Sequence, residues 1–204
     1  MNDNDISLES FWNLLKRLNR DVKRCMMSLH ETPEDDEEAR SFWRRMYALS
    51  VFSLIDGVTY RMMFQAYIAR HRSDVLFTPD ELIRLENYYD FDEDREAVKT
   101  FSQTQMLEDL EFAFNAFARV HCSDYILPIH DNNWALIKEI AWMRNVLQFP
   151  REAGAVEVYE ENIDSLVYGL LWLVERMVDL IEDSKASLLE KLDELDTDED
   201  EIVM

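Results

Sequence analysis

Arginine and asparagine stand side by side at positions 144 and 145, inside the run NNWALIKEIAWMRNVLQFP that spans Asn132–Pro150. A guanidinium can clamp a carboxylate or stabilise developing phosphate charge, in both cases through planar, fixed N–H donors. Arg144 shares a helical face with Trp134, Ile137 and Ala141, because spacings of three, four and three follow the helical period. On so apolar a face a charge must reach water or a partner, since an unpaired buried charge is very costly. Two readings are open. Either Arg144 snorkels to the edge of a bundle with Asn145 as a polar helix-end residue, or it pairs with an acid from another element. From Arg40 to Arg72 the chain holds six arginines and a single acid, Asp56, in an otherwise apolar or basic helix. Arg144 is the candidate partner for Asp56 from a different helix, and Arg61 is a less well placed local one. The alternative is a partly exposed Asp56 beside Gly57, with the glycine marking a close helix crossing.

Other reactive constellations are thin. The chain has no glycine-rich phosphate loop, no Ser-His-Asp order, no nucleophile elbow and no zinc-binding helix motif. His121-Cys122 with His130 lacks metal-ligand spacing, so neither a metal nor a cofactor is expected. Cys25 and Cys122 are too few for a disulfide framework, and a reducing cytoplasm is the expected compartment. The first residues, MNDNDISLES, do not read as a signal peptide, and no apolar run reaches a membrane span.

The elements that position these residues are helices. The chain of 204 residues is 48% hydrophobic and 12% aromatic, with three glycines and four prolines. Such scarcity of turn residues excludes an all-β chain and predicts an all-α, up-and-down bundle of five to six helices. Apolar residues at threes and fours place helices over Ile6–Leu29, Pro33–Arg70, Ala97–Arg119, Asn132–Gln148 and Asn162–Ile181, the last extending towards Leu195. Thr32 and Thr78 are expected N-caps, the second with a full capping box to Glu81; Asn132 or Asn133 and Asn162 are expected to cap later helices. A short helix to about Tyr88 leads into an acidic connector, Asp90–Glu96. Val156 and Val158 alternate as a short extended piece after Gly154 breaks regular structure. Residues 1–195 form one domain on this reading, and 196–204 a disordered acidic tail.

Charge bounds the partners. A formal net charge of −22, with a pI near 4.4, opposes a surface that coats nucleic acid and favours basic partners. Lys16, Arg17, Arg20, Lys23 and Arg24 crowd one face of the first helix, as an anion site or a solvated face paired with the acids that follow.

The stretch Ile140–Pro150 resembles the signature of HEPN domains, in which an Arg-Asn pair is followed after three residues by His. The helix Arg40–Met63, with Asp56 at an acidic position, resembles an early helix of bacterial HEPN proteins, and the helix opening Asn162-Ile163-Asp164 resembles their final one. The resemblance implies a helical bundle that dimerises, with Trp134, Trp142 and Phe149 offering apolar area. It also implies metal-independent RNA cleavage in toxin–antitoxin and phage-defence systems. There the His would handle the 2′-hydroxyl proton and the Arg would stabilise the charged phosphorus centre. Here Arg144 and Asn145 match, Val146, Leu147 and Gln148 are spacers, and Phe149 stands where His is expected. Phe cannot transfer a proton, and Gln148 can hydrogen-bond but has no useful pKa.

Three functions follow as expectations. The first is a non-catalytic HEPN-like protein that binds RNA, a nucleotide or a partner protein through Asp56, Arg144, Asn145 and Gln148. The second is an acidic inhibitor or antitoxin-like protein that mimics nucleic acid and engages a basic partner. The third is an endoribonuclease with a relocated base.

Overall fold

The structure, a computed structural model, describes residues 8–71, 75–86, 103–150 and 152–201. Among them are six α-helices: α1 (Leu8–Glu31), α2 (Glu37–Ala69), α3 (Pro79–Glu86), α4 (Gln103–Val120), α5 (Trp134–Gln148) and α6 (Glu160–Glu201). The fold is all-helical. The starts expected at Ile6 and Ala97, the end expected at Tyr88 and the connector Asp90–Glu96 lie outside the described residues.

α2 is the hub. Its buried residues include neighbours in sequence, such as Leu54-Ile55 and Met62-Met63-Phe64, so more than one face is enclosed. It packs against each of the other five helices. The buried side chains form one contiguous core, with Phe52, Ile55, Met63, Phe114, Ile137, Ile140, Leu166 and Leu173 at its centre.

Two glycines let helices approach. A Cβ on Gly57 would lie 2.6 Å from Leu18 Cδ1 of α1, and one on Gly169 would lie 2.6 Å from Ile140 Cδ1 and 3.3 Å from Leu136 Cβ of α5. Both readings of the Asp56-Gly57 pair therefore hold: the glycine marks a crossing, and the acid beside it finds Arg144.

The helix starts correct several expectations. Thr32 does not cap α2. Its backbone N–H and Oγ1 both return to the carbonyl of Ser28, at 3.1 and 2.6 Å, and satisfy an orphan acceptor at the end of α1. Asp36 is the N-cap instead, accepting from the Ala39 N–H at 3.1 Å. At α3 the expected capping box is complete: the Thr78 N–H donates to Glu81 at 2.8 Å, and the Glu81 N–H to Thr78 Oγ1 at 3.3 Å. α6 begins at Glu160, not at Asn162. Asn162, in the third helical position, reaches back to accept from the Tyr159 N–H at 3.0 Å, half of a capping box. Ala153–Val156 is a 3-10 turn that contains Gly154, and the chain extends only from Glu157. α6 continues through Glu201, into the residues expected to be a disordered tail; 202–204 lie outside the described residues.

α4 closes with a left-handed residue. Cys122 has φ 60°, and around it the Ser123 N–H bonds the Ala118 carbonyl at 3.0 Å and the Cys122 N–H that of Arg119 at 3.1 Å. This Schellman pattern is usually completed by glycine, which has no Cβ penalty there. Among the described residues no helix is long and apolar enough to cross a membrane.

Candidate functional site

α5 is seated from its first turn. Asn133 is its N-cap but makes no side-chain capping bond. The first helical N–H groups, of Trp134, Ala135 and Leu136, go to the backbone carbonyls of Asp131, Asn132 and Asn133, while the Asp131 carboxylate accepts from the Asn133 N–H at 2.9 Å and from Trp172 Nε1 at 3.1 Å. The bonds to that carboxylate, the backbone one foremost, hold the Asp131 carboxyl below its ordinary range. Trp134 packs on Trp172, ring centroids 5.9 Å apart, and Trp134, Ile137, Ile140, Ala141 and Met143 are buried. Arg144 is thus carried on the edge of an apolar face, one turn beyond Ile140 and Ala141.

Arg144 meets Asp56 of α2. Its Nε and Nη2 donate to the same oxygen, Oδ2, at 3.2 and 3.0 Å. The Arg144 side chain is 12% exposed and that of Asp56 43%. Burial pushes the Asp56 carboxyl above its ordinary range, the Arg144 charge opposes that rise, and the charge of Asp109 adds to it.

The remaining motif residues do not join this pair. Both polar atoms of the Asn145 amide are buried without a hydrogen-bond partner, while its backbone carbonyl accepts from the Phe149 N–H at 3.1 Å. Gln148 is exposed, and Phe149 is 54% exposed at the C-cap. Trp142 is 51% exposed, but Trp134 is only 7% exposed. Trp134 therefore drops out of the apolar surface expected for a dimer, because its ring is committed to Trp172 and the core.

Proton-transfer groups lie elsewhere. His121 sits edge-on to Phe117, centroids 4.3 Å apart, and burial lowers its pKa. His130 precedes the far end of α5, about 20 Å along the helix axis from Arg144 at 1.5 Å per residue. His71 stands just beyond α2, a similar axial distance from Asp56, and His30 lies in the last turn of α1. Among the described residues no three His, Cys, Asp or Glu side chains come together as a metal-ligand group.

A second polar centre escaped the sequence reading. Arg44, on α2, is only 5% exposed yet carries a charge. It donates to Glu37 on its own helix and, at 3.2 Å, to Glu160 in the first turn of α6, which also accepts from Arg40 at 2.5 Å. Burial works against the Arg44 charge, but the bonds to Glu37 and Glu160 outweigh it and raise its pKa. Arg40 holds the Glu160 carboxyl low, with Arg44 contributing. The signal was the i, i+4 spacing of Arg40 and Arg44, whose partner lies more than 100 residues away. Two further pairs tie α3 to α4: Arg84 to Asp109 at 2.7 Å, and Arg119 to Glu81 at 2.5 Å.

Two cavities flank this framework. One of about 650 Å³ lies between α1 and α2, against Cys25, Trp43, Met46 and Leu49. The other, about 280 Å³, lies beside the end of α5, against Trp142, Leu147, Val158 and Tyr159. Neither is lined by Arg144, Asn145 or Asp56. No family model, no curated protein and no solved structure matches the chain.

Proposed function

We propose that this chain is a non-catalytic, HEPN-like binding protein, in which the Arg-Asn motif survives as a clamp between α2 and α5. The observation that carries the reading is the occupation of Arg144: its Nε and one Nη are spent on Asp56, and its side chain is 12% exposed. An arginine that stabilises a phosphoryl transition state must aim those donors at the developing charge. Phe149 at the expected His position removes the proton acceptor, a second, independent loss. The bundle ties other helices together with the same Arg–carboxylate device, so the pair needs no catalytic explanation.

With catalysis set aside, the net charge of −22 favours a basic protein partner over RNA or a nucleotide. The toxin–antitoxin or phage-defence setting is what the resemblance supplies to this reading. The reading includes a homodimer through the end of α5, where Trp142, Phe149 and Tyr159 are each more than half exposed.

The test is incubation of metal-free protein with mixed single-stranded RNA, alongside Arg144→Ala and Phe149→His variants. The expected result is no cleavage by the unmodified protein. Cleavage by it that Arg144→Ala abolishes would make the chain an enzyme with a relocated base. Light scattering at micromolar concentration should give twice the monomer mass of 24.3 kDa. A monomer mass would remove the dimer from the reading.

A further inference from the structure

α6 has two apolar stripes, and only one faces the bundle. Ile163, Leu166, Trp172, Leu173 and Leu180 are buried against it. A second stripe, Leu171, Val174, Val178, Ile181, Lys185 and Leu188, advances by alternating steps of three and four residues. Its apolar members are 55%, 47%, 46%, 42% and 41% exposed in that order, and Lys185 is exposed too. In sequence, Leu192 and Leu195 continue the same steps. A 3-4 alternation is the seam of a coiled coil, and it is sustained here from 171 to 195, about 36 Å at 1.5 Å per residue. Scattered exposed apolar residues need no explanation, but a helical seam broken only by Lys185 does.

Charge selects what covers it. Glu175 and Glu182, seven residues apart, border the seam on its open side and are exposed. From Asp179 to Met204 the chain has eleven acids against two lysines. A second copy of α6 fits this surface poorly. Parallel pairing would set two acidic ends side by side, and antiparallel pairing with Ile181 against Lys185 would bring Glu182 onto its own symmetry mate. We infer that the Leu171–Leu188 face of α6 is a docking site for a single basic amphipathic helix of a partner protein. Leucine-like residues of that helix fill the seam, and its Lys or Arg residues meet Glu175 and Glu182. Lys185 in the seam fixes the register, as a lone charged residue does in a coiled coil. The inference rests on the preceding reading only in taking the partner to be a protein.

The test uses the full chain and three synthetic helical peptides of three heptads. One carries Leu at the seam positions and Lys at the flanks, one has Glu for every Lys, and one has the basic composition in shuffled order. Anisotropy titrations should show saturable, salt-sensitive binding of the basic heptad peptide. Binding should be at least about tenfold weaker for the acidic and the shuffled peptides. Ile181→Lys should weaken binding of the basic heptad peptide by about tenfold or more. Leu76→Lys, the same charge change at a residue 90% exposed before α3, should leave it within about twofold. Circular dichroism checks that each variant is folded, and Val174→Lys replaces Ile181→Lys if that variant is not. Equal binding of the shuffled peptide, no binding of the heptad peptide, or equal loss in Leu76→Lys would overturn the proposal. So would a homodimer dissolved by Ile181→Lys, which would make a second copy the occupant. A homodimer dissolved only by Trp142→Lys bears on the α5 reading and leaves the α6 site standing.

Discussion

Arg44 and Arg144 each meet a carboxylate at α2, and the two meetings are built differently. Towards the N-terminus of α2 Arg44, with a 6% exposed side chain, is held by two carboxylates, Glu37 and Glu160, whose own side chains are 70% and 59% exposed. At the middle of α2, Asp56 alone receives Arg144 on one oxygen. The first centre is redundant and the second is not. The contrast also shows that enclosure of an arginine beside an acid is ordinary in this molecule. Arg144 attracts attention because Asn145 follows it, while the more enclosed Arg44 has no motif at all. A buried guanidinium here reports how helices are joined before it reports chemistry.

Removing partners one at a time sharpens that contrast. Asp56→Ala strands the better buried member of its pair and should cost about 2–3 kcal/mol in chemical denaturation. That is below the cost of breaking a fully buried pair, because water reaches Asp56. Arg144→Ala leaves only the half-exposed acid and should cost less, about 1–2 kcal/mol. If Arg144→Ala proved the more damaging of the two, Arg144 would be doing more than closing on Asp56.

The redundant centre should respond non-additively. Glu160→Ala should cost about 1 kcal/mol or less, since Glu37 still holds Arg44. Adding Glu37→Ala should cost more than Glu37→Ala does alone, because Arg44 then has no carboxylate left among its observed partners. Strict additivity of the two substitutions would mean that the carboxylates do not substitute for one another.

Acid should separate the centres as well. The Glu160 carboxyl is held low by Arg40 and Arg44, so its stabilisation is present above the ordinary glutamate pKa and is lost as pH falls through the lowered value. Asp56 is shifted the opposite way, so its protonation on acidification favours the folded chain instead of opposing it. The melting temperature of the unmodified chain should therefore fall below about pH 4, and Glu160→Gln should flatten that fall. A parallel curve for Glu160→Gln would detach Glu160 from acid stability.

The smallest effect is expected away from both centres. Cys122→Gly removes a Cβ from a left-handed residue at the end of α4, and it should stabilise by at most about 1 kcal/mol. A loss of stability would show that the thiol side chain contributes more than its strain costs.

What could be read from the chain follows the same division. Asp56 and Arg144 lie 88 residues apart, yet each is a lone charge on a mostly apolar face, so their pairing was readable without a structure. Thr78 and Glu81 were readable because a capping box is local, and both of its bonds form. Arg44 was hidden because its partner Glu160 sits among Glu157 and Glu161, where one acid looks like another. Thr32 misled because a threonine before Pro33 has the chemistry of a helix start, while its hydroxyl was needed at the end of α1. The second stripe of α6 was hidden by the first, since Leu170, Val174, Met177 and Ile181 can be drawn as one face until burial separates them.

The central claim is that the guanidinium of Arg144 belongs to Asp56, and a double-mutant cycle measures that ownership. Urea unfolding of the unmodified chain, Arg144→Ala, Asp56→Ala and the double variant should give a coupling energy of about 1–2 kcal/mol. The double variant should then be no less stable than Asp56→Ala alone, because it removes the stranded charge. A coupling near zero, with Arg144→Ala leaving stability unchanged, would contradict the account and return Arg144 to the list of residues kept for a ligand.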